Sequence, residues 1–160
     1  MTKINLVAEP GKQEAIMVYS FEARRELVFK TFTDPNLIPQ WWGPRYLTTT
    51  VDKMEVRKGG IWRFVQQDAE GNRYAFNGVY HEIAAPERLV YTFEFEGMPG
   101  HIALEIIKFE EQDGTTKMTD HLVFQSVEDR DGMVASGMEE GGIESMERLA
   151  ELLAKSVKVN

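Results

Sequence analysis

The chain of 160 residues contains no cysteine. Disulfides, cysteine–zinc centres and thiol nucleophiles are therefore excluded. It has no apolar run long enough to cross a bilayer, so no membrane insertion is expected. Its first fifteen residues lack the basic-then-apolar pattern of a secretory leader, and a cytoplasmic protein is expected. It also lacks a basic patch. Lys and Arg are scattered and the net charge is −8, so a phosphate backbone would be repelled and no nucleic-acid partner is expected. Gly59-Gly60 is a hairpin turn rather than a phosphate-binding G-x-G-x-x-G loop. His81, His101 and His121 each stand alone in strand-like runs, at rim or surface positions, without the spacing of a metal pair. Ser126, Ser136 and Ser145 have no nucleophile-elbow context. Neither a metal, a cofactor nor a catalytic triad is expected.

What is present is apolar surface. Nine Phe, five Tyr, three Trp and eight Met are many for so acidic a chain. Ile16 to Phe21 reads as a strand, preceded over residues 3–15 by an edge strand and linker with a turn at Glu9-Pro10-Gly11-Lys12. Arg24 to Thr33 reads as a helix with Leu27, Val28, Phe29 and Phe32 on its apolar side. Asp34-Pro35 ends it, because a residue before proline avoids the helical region. Asn36 to Trp41 fits a single helical turn. Trp41-Trp42-Gly43-Pro44 then bends the chain. One of these two Trp is expected to anchor the helices on a sheet, and the other to line a pocket mouth as a mobile gate.

Turn signals then divide residues 46–125 into six strands: 46–57, 61–67, 73–84, 88–96, 101–111 and 115–125. Their short connections predict an antiparallel meander. Leu89, Tyr91, Phe93 and Phe95 share one face of their strand, and Trp62 and Phe64 share a face of theirs. In 101–111, Ile102, Leu104 and Ile106 agree in phase while Ile107 and Phe109 switch, which predicts a bulge. Asp120 shares a face with Met118, Leu122 and Phe124. A carboxyl turned inward there would carry a raised pKa and could act as an acid, a base or a ligand contact. A local change of phase, or an Arg partner, would make it ordinary. Ser126 and Asp129 form a capping pair for a short helix over 126–135, whose Arg130 and Asp131 fix the loop before the next helix.

The final helix is read from Ser136 to Lys155, with Ser136 and Glu139 as its capping box. Met138, Gly142, Met146, Leu149 and Leu153 form its apolar stripe. Gly141 and Gly142 are costly inside a helix. Gly142 reads either as a close approach to the sheet or as space left for a ligand.

The segments FKTFTDPNLIPQWWGP, VRKGGIWRF, GVYHEIAAPERLVYTFEFEG and FQSVEDRDGMVASGMEEGGIESMERLAELL together resemble the Aha1-type branch (activator of Hsp90 ATPase) of the START/Bet v 1-like, or SRPBCC, superfamily. The resemblance runs from about Phe21 to Leu153. It implies one α+β domain over residues 1–160, with a core at about 16–156. The implied helix-grip fold is a curved antiparallel sheet of about seven strands wrapped around the C-terminal helix, with two short helices after the first long strand. The superfamily includes lipid carriers, hormone receptors, cyclases and aromatase-like enzymes, and a fold alone does not choose among them.

Three functions follow as expectations. The first is a binding module for a small apolar or amphipathic molecule between helix and sheet. Its candidate contacts are Trp42, Trp62, Phe64, Phe76, Tyr91, Phe93, Phe95, Met118, Asp120, Leu122, Gly142 and Met146. The second is a cyclase- or hydrolase-like enzyme, for which at least two polar groups must converge inside the cavity. The third, supplied by the resemblance alone, is a stress-response or chaperone-linked protein that contacts Hsp90. A homodimer through an exposed strand or helix face stays open.

Overall fold

The computed structural model describes residues 4–159. Residue 3, where the edge-strand reading starts, lies outside them. Eight strands form one sheet: β1 (Ile4–Val7), β2 (Glu14–Phe21), β3 (Thr48–Met54), β4 (Ile61–Gln67), β5 (Arg73–Ala84), β6 (Arg88–Phe95), β7 (Ile102–Gln112) and β8 (Thr115–Val123). Three α-helices accompany them: α1 (Arg25–Thr33), α2 (Val127–Ala135) and α3 (Met138–Val159), with a single 3-10 turn at Ile38–Gln40. The sheet order is β1-β2-β8-β7-β6-β5-β4-β3, and every pairing is antiparallel. The eighth strand, beyond the seven of the helix-grip expectation, is β1, the edge strand read within residues 3–15. The chain runs from β2 through α1 and the 3-10 turn to β3 at the opposite edge, which carries the helices across one face. This is the helix-grip arrangement.

The bulge expected in β7 is absent. β7 pairs with both neighbours without a register shift. Ala103, Glu105, Ile107 and Phe109 all face inward and are buried. Ile102, Leu104 and Ile106 lie on the outer face. An outer face need not be polar, because apolar atoms make up much of any protein surface. The shifts occur instead between Val51 and Lys53 in β3, and between Tyr80 and Glu82 in β5. Bulges at such points bend a strand and increase its twist.

The capping box expected at Ser136 is also absent. Ser136 closes α2: its backbone N–H donates to Gly132 O at 3.1 Å and its hydroxyl to Met133 O at 2.7 Å. Gly137 follows at φ +92°, a left-handed conformation that glycine adopts without a Cβ penalty. Only then does α3 begin, at Met138. The expected pair at the start of α2 forms, with Asp129 N–H donating to Ser126 Oγ at 3.0 Å. Arg130, almost fully buried, ties α2 to β2 through Nη1 and Glu14 O at 3.0 Å. His101 and Asp129 add a second tie, 2.9 Å long, between α2 and the residue before β7.

α3 is divided by what it touches. Met146, Leu149 and Leu153 are buried in one cluster with Val28, Phe29, Trp41 and Phe109. Phe29 meets Phe109 edge-on at 5.6 Å. Trp41 stacks on Phe32 at 4.7 Å and donates from Nε1 to Thr31 O at 3.1 Å. These contacts clamp the second half of α3 and α1 onto the sheet. Met138, Gly141 and Gly142, nearer the start of α3, remain half-buried.

Two glycines set opposite expectations. A Cβ on Gly141 would meet nothing within 4 Å, so Gly141→Ala should raise stability in chemical denaturation by about 0.5–1 kcal/mol through helix propensity. At Gly78 a Cβ would stand 1.7 Å from Thr92 O and 2.3 Å from Trp62 Nε1. Gly78→Ala should therefore cost about 1–3 kcal/mol from overpacking in the same measurement.

Candidate functional site

Between the first half of α3 and the inner face of the sheet lies a cavity of about 390 Å³. Close-packed interiors leave few voids larger than a water molecule, so a space of this size is a feature of the fold. α3 contributes Met138, Gly141, Gly142, Ser145 and Met146 to its wall. The sheet contributes Met17 from β2 and inward residues of β4 to β8. The loop after the 3-10 turn contributes Trp41, Trp42, Gly43 and Pro44.

That loop is held by named bonds. Gly43 N–H donates to Ser145 Oγ at 3.0 Å, and Thr49 Oγ1 donates to Trp42 O at 2.8 Å. Arg148 reaches from α3 to Gly43 O at 2.7 Å and Gln40 O at 3.2 Å. Gly43 sits at φ +89°, and a Cβ there would collide with the Gln66 amide. Trp42 is thereby turned onto the sheet aromatics, 5.1 Å from Phe64, 5.3 Å from Phe76 and 6.3 Å from Trp62. Trp62 lies across Gly78 and donates to Thr92 O at 3.2 Å.

Of the candidate contacts, Trp42, Trp62, Phe64, Phe76, Tyr91, Phe93, Met118, Asp120, Leu122, Gly142 and Met146 line the cavity. Phe95 does not. It lies at the end of β6, against Phe76 at 5.1 Å and over Gly97. Its in-phase spacing with Leu89, Tyr91 and Phe93 fixes its face of the sheet but not its distance from α3. Gly142 combines its two readings, because it borders the cavity and a Cβ there would meet Met17 Cε at 2.5 Å.

The polar centre of the site is one that strand phase hid. Tyr91 pairs with Glu105 across β6 and β7. Asp120 lies diagonally across the next pair, since Glu105 faces Leu122 and Ile107 faces Asp120. The Tyr91 hydroxyl and the Asp120 carboxyl both lie beside Glu105, close enough for each group to shift the ionisation of the others. Glu105 was missed because the Ile102, Leu104 and Ile106 alternation placed it outward. The available signal was Ile107 and Phe109, whose phase also belongs to Ala103 and Glu105. Asp120 does face inward, with Glu105 rather than an Arg beside it. Its Oδ1 is buried without a hydrogen-bond partner.

Burial pushes the Asp120 pKa well above the usual carboxylate range, and the negative charge of Glu105 adds to this. Burial also raises Glu105, while the neighbouring Asp120 and Tyr91 act against that rise. Burial raises the Tyr91 phenol, with the Glu105 charge second. Two like charges buried side by side cannot both be held cheaply. At least one of the two carboxyls therefore holds its proton above the ordinary carboxylate range, and the stronger upward push falls on Asp120. Among the described residues no Lys, Arg or His lines the cavity. Among the described residues no three His, Asp or Glu side chains gather as a metal site. No helix among them is long and apolar enough to cross a membrane.

The sequence profile of the "Activator of Hsp90 ATPase homolog 1-like protein" family matches residues 22–154. The chain belongs to this family. Its fold recurs in solved members of the same architecture. A protein from Arthrobacter aurescens is 25% identical, with a TM-score of 0.87 over 94% of this chain and 91% of that one. A Rhodobacter sphaeroides protein is 25% identical, with a TM-score of 0.85 over 96% and 99%. An AHSA1 protein from Silicibacter pomeroyi is 24% identical, with a TM-score of 0.73 over 89% and 99%. No curated protein sequence matches significantly.

The carboxyl pair gives this family member a defined pH response. Unfolded, both acids ionise at about pH 4. Folded, Asp120 holds its proton to higher pH. Between those limits the folded state binds more protons, so stability falls as pH rises. Denaturant titrations should show wild type losing stability as pH rises above the ordinary carboxylate range. Asp120→Asn, whose amide does not ionise, should lose less and should exceed wild type at the upper pH. Equal slopes for the two proteins would count against the buried pair.

Proposed function

We propose that the chain binds a small, mostly apolar molecule in the cavity between the first half of α3 and the sheet. The cavity itself, about 390 Å³ and walled by aromatic and methionine side chains, is the observation that carries this reading. Sites for small molecules fall in the range of roughly 300–1,000 Å³, mainly apolar with a few placed polar groups. Membership of the family is consistent with such a role.

Tyr91, Glu105 and Asp120 favour a second reading in which the bound molecule is also transformed. A protonated carboxyl beside a carboxylate is an acid and a base in one place. The two readings separate experimentally, because Asp120→Asn abolishes turnover in the second while apolar uptake survives. A contact with Hsp90 is carried by the family's description alone.

The binding reading is tested by isothermal titration calorimetry with a neutral probe, 1-naphthalenemethanol. Wild type is expected to bind it. Gly142→Leu, which places a side chain against Met17, is expected to weaken binding by about tenfold or more while the protein stays folded by circular dichroism. No uptake by wild type up to the solubility of the probe, or unchanged affinity in the variant, would remove this reading.

A further inference from the structure

The fixed charge in the cavity is of one sign. Glu105 and Asp120 line it and no cationic side chain does. With one proton between them the pair carries one negative charge, buried and with no cationic side chain in the described lining to offset it. Such a charge is costly unless something pairs with it. An anionic head group would meet this charge with no cation to offset it. A ligand with no donor would leave Asp120 Oδ1 without a partner, as it is now.

The rings beside the pair point the same way. Tyr91 lies beside Glu105 and stands 5.9 Å from Trp62 and 6.0 Å from Tyr80, both edge-on. Aromatic faces attract cations through the ring quadrupole, most strongly where water is excluded. An acid pair set among rings, inside an otherwise apolar chamber, matches a molecule with an apolar body and a cationic, hydrogen-bond-donating head.

We propose that the natural occupant is a lipophilic amine, its body held among the cavity aromatics and its protonated nitrogen set against Glu105 and Asp120. This rests on the binding reading above. One ammonium neutralises one charge and supplies the donor that Asp120 Oδ1 lacks.

The test compares three probes of one shape by calorimetry on the whole chain: 1-naphthylmethylamine, 1-naphthalenemethanol and 1-naphthoate. The amine is expected to bind about tenfold or more tighter than the alcohol, with naphthoate weakest. Because the charge is buried, that order should persist in about 0.5 M NaCl, which screens attraction to the acidic surface. Glu105→Gln removes the charge and should bring the amine to the level of the alcohol measured on the same variant. An amine no tighter than the alcohol or the acid in wild type overturns the proposal whatever the variant does, as does a preference that salt abolishes. Alcohol binding alone leaves the binding reading standing, whereas failure of all three probes overturns both.

Discussion

Continuous register through β6, β7 and β8 is the constraint on which the site depends. Side chains alternate along a strand, so a slip of one residue would turn Tyr91, Glu105 or Asp120 to the other face. With no shift in either pairing of β7, the three groups fall together on the inner face, Tyr91 opposite Glu105 and Asp120 diagonal to it. The irregularities lie in β3 and β5, where they bend the sheet without disturbing that group. A single extra residue in β7 would separate the phenol from the acids.

The second constraint is the unequal seating of α3. Its latter half shares the main core with α1 and Phe109, which sets its height above the sheet. Its first half has glycine at two successive positions, and serine and methionine nearby. These side chains are too small or too supple to close the distance. Gly137, in its left-handed conformation, separates α2 from α3 and lets each follow its own surface. The space that results is filled neither by the helix nor by the sheet.

Most of the architecture was legible from local signals. β4 and β5 begin and end where the turn residues place them, and the helix over 126–135 starts at its expected cap. Two failures share a cause, which is that local patterns do not report what lies across space. Ser136 has the spacing of a capping box with Glu139, yet its hydroxyl serves the helix behind it. Ile102, Leu104 and Ile106 keep a clean period of two, but they face outward. Asp120 was visible because its neighbours in β8 are plainly core residues. Glu105 was not, because two equally apolar phases compete in β7 and only the paired strands decide between them. Phe95 shows the same limit, since alternation names a face and says nothing of distance.

The placement of the tryptophans has a practical consequence. The chain holds three, and Trp41, Trp42 and Trp62 all border the cavity. No indole sits elsewhere to add a constant background to ultraviolet emission. Excited at wavelengths that only indoles absorb, the unlabelled protein thus reports on the chamber, and the intensity and colour of its emission register whether the chamber is dry, wet or filled.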